Sequence, residues 1–374
     1  MPLFDSPLVS HSLEKISETH ARSAEFAKES GCAEEIVKFV GLYQWISQQF
    51  PHTHKSQFSG HFFPWVECYE EMRVSCTLCL MGFYKQAMVS LRASLELGIL
   101  SVYWNLDDMG HETIQAWLRS ETDTPWRKEI WERLNSHKNF RLLQEKYDIG
   151  QEFRELSGVL DDYVHSKGAK HCNAVGVRTG HKEFEPLGFR TWYTALERVT
   201  KLIMILHLTK YPIGVVKYDW HKKFGVDIPM FGGLEPHAVD ALMDLIGEDV
   251  FTILQSIAEA DEDTQRIMQW VQNRPEMTDE DIENQVVKFA KLEIQAGGGF
   301  KTGLAPWLRM RESLYDQVKE NLSTEQKEHE HRVLDRIMQW ARECGYDLAQ
   351  GEREMFVEAY GKLKKKRKSR KKRT

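Results

Sequence analysis

The sequence predicts an all-α protein, and three observations carry that expectation. Nearly every patterned segment repeats its apolar residues at helical spacing. No run alternates apolar and polar residues with the β-branched enrichment of a strand. The patterned segments are punctuated by glycines and prolines such as Gly31, Pro51 and Pro212, placed where helices stop. The 374-residue chain is 41% hydrophobic with eleven tryptophans, enough for a sizeable core and too much for extended disorder.

In chain order, the spacing predicts a charged helix over 13–30 and a second over 33–50, stopped by Pro51. Residues 52–64 read as a histidine- and aromatic-rich loop. A helix over 65–80, the turn Met81-Gly82-Phe83 and a helix over 84–106 predict an antiparallel hairpin. Shorter helices follow over 112–119 and 126–134, around the turn signal Thr124-Pro125. Next come a helix over 151–167, a glycine-rich loop over 168–188 and a long helix over 189–210. The glycine, proline and aromatic content of 212–236 marks it as a boundary. Beyond it, helices are expected over 236–260, 264–273, 279–296, 306–322, 323–344 and 347–362. The fifth of these opens on the capping pattern Ser323-Thr-Glu-Gln326. The expected organisation is a helical bundle over 1–212, a linker over 213–235, a smaller helical domain over 236–361 and a disordered basic tail over 362–374. Arg266-Ile-Met-Gln-Trp270 recurs letter for letter as Arg336-Ile-Met-Gln-Trp340, with Val287 and Val357 in register. The favoured reading is a pair of similar helical packing units, each burying a tryptophan; a paired binding surface is the alternative.

The stretch 88–104 is apolar on nearly every side, which places it inside the protein. It nevertheless carries Arg92 and Glu96 one turn apart on one face. Charges in a core must be paired or functional. In 156–168, Ser157, Asp161 and His165 fall at four-residue steps on one helical face. His165 ends that helix, where the dipole favours an imidazolium. If the two helices pack together, Arg92, Glu96, Asp161 and His165 form one polar cluster.

Leu91-Arg-Ala-Ser-Leu-Glu96 after a Gly-aromatic turn, followed by Leu156-Ser…Val164-His165, resembles a group of bacterial helical proteins of unknown function. These are discussed beside the HEPN superfamily (higher eukaryotes and prokaryotes nucleotide-binding), and the resemblance spans about residues 65–212. It implies a helical bundle and, as in many HEPN proteins, a metal-independent RNase of a toxin or phage-defence system. The HEPN hallmark is an arginine four to six residues before a histidine on one helix end. Residues 159–164 hold no arginine, so the resemblance gives that role to Arg92. His165 would then act as general acid or base, Arg92 or Lys167 would stabilise the developing phosphorane charge, and Glu96 would hold Arg92. The structural alternative is an Arg–Glu pair and a hydrogen-bonded histidine that keep three helices in register. HEPN-type proteins often dimerise, which implies a homodimer or another protein partner here.

The remaining signals are weaker. Cys76-Thr-Leu-Cys79 lies near Cys68, His52, His54 and His61, but within an apolar helix; buried small thiols are expected there, and no metal. No cofactor motif is present, and none is expected. The 168–188 loop, with Lys167 before it and Lys170, His171, Arg178, His181 and Lys182 within it, reads as a solvated loop or an anion-binding lid. It has no phosphate-loop pattern. Gly297-Gly-Gly299 reads as a hinge or helix stop.

Net charge is -6, yet residues 362–374 hold ten basic residues and no acidic one, so the rest is strongly acidic. Lys364, Lys365, Lys366, Arg367, Lys368, Arg370, Lys371, Lys372 and Arg373, with Lys167 and Lys170 on the body, are the candidate nucleic-acid contacts, RNA favoured. No signal peptide, spanning segment or neighbouring apolar anchor is recognisable, so a soluble cytoplasmic protein without a membrane partner is expected.

Overall fold

The computed structural model describes residues 12–47, 49, 60, 62–106, 111–172, 183–225, 231–295, 304–318 and 322–346. Among these there are sixteen α-helices, two short 3₁₀ turns and no strand. The helices are α1 (Leu13–Glu29), α2 (Cys32–Ser47), α3 (Phe63–Leu80), α4 (Tyr84–Trp104), α5 (His111–Leu118), α6 (Arg127–Ser136), α7 (Lys138–Lys146) and α8 (Ile149–Val164). They continue as α9 (Pro186–Lys210), α10 (His221–Phe224), α11 (Pro236–Ile246), α12 (Glu248–Ala260), α13 (Glu262–Gln272), α14 (Asp279–Gln295), α15 (Leu304–Val318) and α16 (Thr324–Glu343). None of the described helices is long and apolar enough to cross a membrane.

Helix α4 is the centre of the larger unit. It packs against α3, α8 and α9, and its Met88, Leu91, Leu95, Ile99, Leu100, Val102, Tyr103 and Trp104 are all buried. The α3–α4 hairpin closes through Gly82, whose φ of 81° is left-handed. The Phe83 amide then donates to the Leu78 carbonyl at 2.8 Å. A second glycine sets the spacing of the helices. A Cβ on Gly98 would lie 2.5 Å from the Ile203 Cδ1 of α9 and 3.3 Å from the Cys68 sulfur of α3. Buried hydroxyls tie the same three helices together. The Ser75 hydroxyl donates to the Ala87 carbonyl at 2.7 Å and accepts from the Trp192 indole at 2.8 Å. The Ser94 hydroxyl donates to the Cys68 carbonyl at 3.0 Å. Each bond satisfies a polar group that burial would otherwise penalise.

The chain divides into two compact units, but not at the expected linker. One unit takes Met1–Trp220 and Val226–Arg274; the other takes His221–Gly225 and Pro275–Thr374. Helices α11 and α12, expected in the C-terminal domain, bury Val239, Leu242, Ile246, Phe251, Leu254 and Ile257 in the same core as α4. Much of 213–235 is not a free linker either. Ile213, Val215, Trp220 and Leu234 are buried, and the Trp220 indole donates to the Leu234 carbonyl at 2.7 Å. Gly214, Gly232 and Gly233 there are buried, in a corner rather than a joint.

The second unit is built from α10 and α14–α16. Its core gathers Val287, Ile294, Trp307, Val333, Ile337 and Met338, among others. Helix α16 opens with the expected capping box, in which Ser323 and Gln326 exchange side chain–backbone bonds. The repeated pentapeptide falls once in each unit, on α13 and on α16. The expectation that both copies bury their tryptophan fails for the first. Met268 is buried there, but Trp270 is exposed, lying edge-on to Phe231 and beneath Arg274. The second copy half-buries Trp340 against Tyr346 and Lys291. Val357, the partner of Val287 in the repeat, lies outside the described residues.

Candidate functional site: a buried arginine beside the α6–α8 cleft

Helices α4 and α8 pack together, and this brings three of the four expected site residues into one network. The Arg92 guanidinium donates from Nη2 to Glu96 Oε1 at 2.6 Å and from Nε to Asp161 Oδ1 at 2.6 Å. Arg92 is only 5% exposed. A guanidinium so far from water requires counter-charge, and two carboxylates supply it. Its Nη1 is buried without a hydrogen-bond partner among the described residues.

A fourth member, Arg127 in the first turn of α6, was not anticipated. It forks onto Asp161, with Nη1 at 3.0 Å from Oδ2 and Nη2 at 3.1 Å from Oδ1, and approaches Glu96 at 3.9 Å. The network therefore balances two guanidinium groups with two carboxylates and joins α4, α6 and α8. A sequence signal did exist. Arg127 and Lys128 open a helix at the end where the backbone dipole disfavours cations. Such placement asks for a nearby anion, and Asp161 is one.

Arg127 and Asp161 also border a cleft of about 700 Å³ between α6 and α8. Trp131 and Phe153 supply its apolar wall, their rings 5.2 Å apart and tilted. Lys128 and Arg154 add cations. Three polar atoms of cleft-lining residues are buried without a partner among the described residues: Trp131 Nε1, Asn135 Oδ1 and Ser157 Oγ. Buried polar groups are nearly always hydrogen-bonded, so three orphans around one cleft are unusual.

His165, the fourth expected site residue, stands apart from this arrangement. It is the C-cap of α8, exposed, and its side chain makes no described hydrogen bond or ion pair; it does not line the cleft. The α8 terminus is closed by a Schellman motif. The Lys167 amide donates to the Asp162 carbonyl at 2.9 Å, and the Ser166 amide to the Tyr163 carbonyl at 3.3 Å. Ser166 occupies the left-handed position with φ 51°, held by Lys85, whose Nζ donates to its hydroxyl at 2.6 Å. Lys167 is thereby turned back onto Asp162, 3.2 Å away. Lys170 lies in an exposed 3₁₀ turn with its own interactions, and His171 is buried edge-on to Tyr163.

No protein-family model, curated protein or solved structure matches this chain. The geometry alone therefore has to carry the functional reading. Residues 173–182 of the glycine loop, the histidines His52, His54 and His61, Gly297–Gly299 and the tail cations Lys364, Lys365, Lys366, Arg367, Lys368, Arg370, Lys371, Lys372 and Arg373 lie outside the described residues.

The cysteines of α3 are inert thiols. Burial pushes Cys68 and Cys76 up to about 11 and Cys79 well above its ordinary value, so none supplies thiolate at neutral pH. One further buried titratable group was missed by the sequence reading. His207 of α9 is fully enclosed, its Nε2 2.8 Å from the Ser101 hydroxyl and its ring edge-on to Trp65. The Ser101 hydroxyl donates to the Gly98 carbonyl at 2.6 Å, so it accepts from the imidazole. Burial lowers the His207 pKa to about 3, which keeps the ring neutral. Its place within an apolar run at the end of α9 was the available clue.

Proposed function

We propose that this protein associates with nucleic acid, RNA favoured, and that the Arg92 cluster builds the site rather than cutting the ligand. The observation that carries this reading is that Arg92 is almost wholly buried and already engaged by Glu96 and Asp161, both at 2.6 Å. A guanidinium held this way fixes helices; it is not free to meet a developing phosphorane. Arg127 and the cleft beside it are what the cluster holds in place. The ten cations of 362–374 supply a sequence-independent grip on phosphate through counterion release.

The experiment is incubation of the purified protein with single-stranded RNA in EDTA, with binding followed as salt is raised. The RNA is expected to remain intact, with affinity falling steeply with salt. Deleting 362–374 should flatten that salt dependence. RNA cleavage in EDTA that disappears in a folded His165→Ala variant would overturn the non-catalytic reading.

That outcome would support the second reading, a HEPN-like metal-independent endoribonuclease of a defence or toxin system. One observation favours it: His165 is exposed one turn beyond Asp161, and Arg127 is 46% exposed beside the same carboxylate. In that mechanism His165 exchanges the proton and Arg127, rather than Arg92, meets the phosphate charge.

A further inference from the structure

The α6–α8 cleft joins an aromatic wall to a cationic rim. The Trp131 and Phe153 rings provide the wall, which suits a flat ring. The rim adds positive charge from Arg127, Lys128 and Arg154, against Glu132 and Asp161.

The start of α6 points the same way. Its N-cap is Trp126, whose side chain makes no capping hydrogen bond. The first-turn amides are thus left for an anion, beside Arg127 and Lys128. Trp126 itself is 83% exposed, more than any other large hydrophobic residue on the described surface. An indole left in water at the edge of a cationic cleft is a platform on which a second flat ring can stack.

We propose that the cleft binds one nucleoside monophosphate unit, with its base against Trp131 and Phe153 and its phosphate at Lys128, Arg154 and the start of α6. In a single strand the neighbouring base stacks on Trp126. This deepens the nucleic-acid reading above and rests on it, but places a base-reading subsite on the body of the protein, separate from the tail.

The test uses the full-length protein, with adenosine 5′-monophosphate, inorganic phosphate and a single-stranded hexa-adenylate titrated by calorimetry. The monophosphate should bind saturably, phosphate at least tenfold more weakly, and the hexa-adenylate more tightly than the monophosphate. Lys128→Glu changes an exposed side chain of the rim, so the fold should keep its melting temperature while monophosphate affinity drops at least tenfold. Trp126→Ala should weaken hexa-adenylate about tenfold and leave the monophosphate unchanged. Absence of saturable monophosphate binding, equal affinity for phosphate, or a Lys128→Glu variant that binds like wild type would each overturn the proposal. If long RNA still binds in a tail-dependent way in that case, the nucleic-acid reading survives and only the subsite falls. If neither monophosphate nor RNA binds, both fall.

Discussion

At two points along its buried length helix α4 meets an ionisable group, and the fold treats them in opposite ways. At Arg92 the charge is retained and answered by Glu96, Asp161 and, through them, Arg127. One and a half helical turns past Glu96, Ser101 meets His207, where burial holds the ionisable ring neutral beside the Ser101 hydroxyl. The first point lies against a cleft open to solvent; the second is sealed in the core. The difference shows what a buried charge needs. Guanidinium cannot shed its proton, so carboxylates must be brought to it. Imidazole can, so the core need bring it no counter-charge.

The largest expected effect tests the charged point. Asp161→Ala removes a carboxylate shared by two guanidinium groups and should cost roughly 3–5 kcal/mol in urea denaturation. The double change Arg92→Met with Asp161→Leu should recover much of that loss. A cost below about 1 kcal/mol for Asp161→Ala would make the network superficial.

Next comes the pH response of the neutral point. His207 titrates near 6.5 when unfolded and at about 3 when folded. Between those values the unfolded chain binds the extra proton, so this contribution is complete above pH 6.5 and is lost as pH falls toward 3. Each pH unit in that window removes about 1.4 kcal/mol, or about 2 kcal/mol between pH 6.5 and pH 5. His207→Phe should flatten this part of a stability–pH curve; an unchanged slope would show that carboxylates alone produce it.

A smaller effect sharpens the same contrast. Ser101→Ala takes away the acceptor of the His207 N–H and should cost about 1–2 kcal/mol, seen as a lower melting temperature. Smallest is Glu96→Gln. Glu96 is half exposed, and Asp161 still answers Arg92, so less than about 1 kcal/mol is expected. A larger loss would mean that Arg92 depends on its own helix more than on α8.

The parts of this arrangement that were legible in the sequence are those set by local periodicity. An apolar stretch that keeps Arg92 and Glu96 announces a paired charge in a core. The four-residue spacing of Ser157 and Asp161 places them on one face of α8. What was not legible depends on chain-distant packing. No spacing rule joins Arg127 to Asp161, 34 residues away, and the unfavourable cations at the start of α6 were the only hint. The domain boundary failed for a related reason. Helices α11 and α12 are amphipathic, and an apolar stripe does not say which surface will cover it. Glycine and proline between 212 and 236 gave the same signal for a buried corner as for a linker. The two copies of Arg-Ile-Met-Gln-Trp make the point within five residues. Identical letters leave one tryptophan exposed and the other half covered because their neighbours differ.

Gly98 bears on the timing of motion in this core. With the Ile203 side chain occupying the space a Cβ would fill, α4 and α9 are interlocked at a notch, flanked by the Ser101–His207 bond. A partial fraying of α4 has to withdraw that methyl as well, so its middle turns have no inexpensive way to open alone. Amide protons between Leu95 and Val102 should therefore exchange with deuterium only when the whole unit comes apart, last among those of the chain.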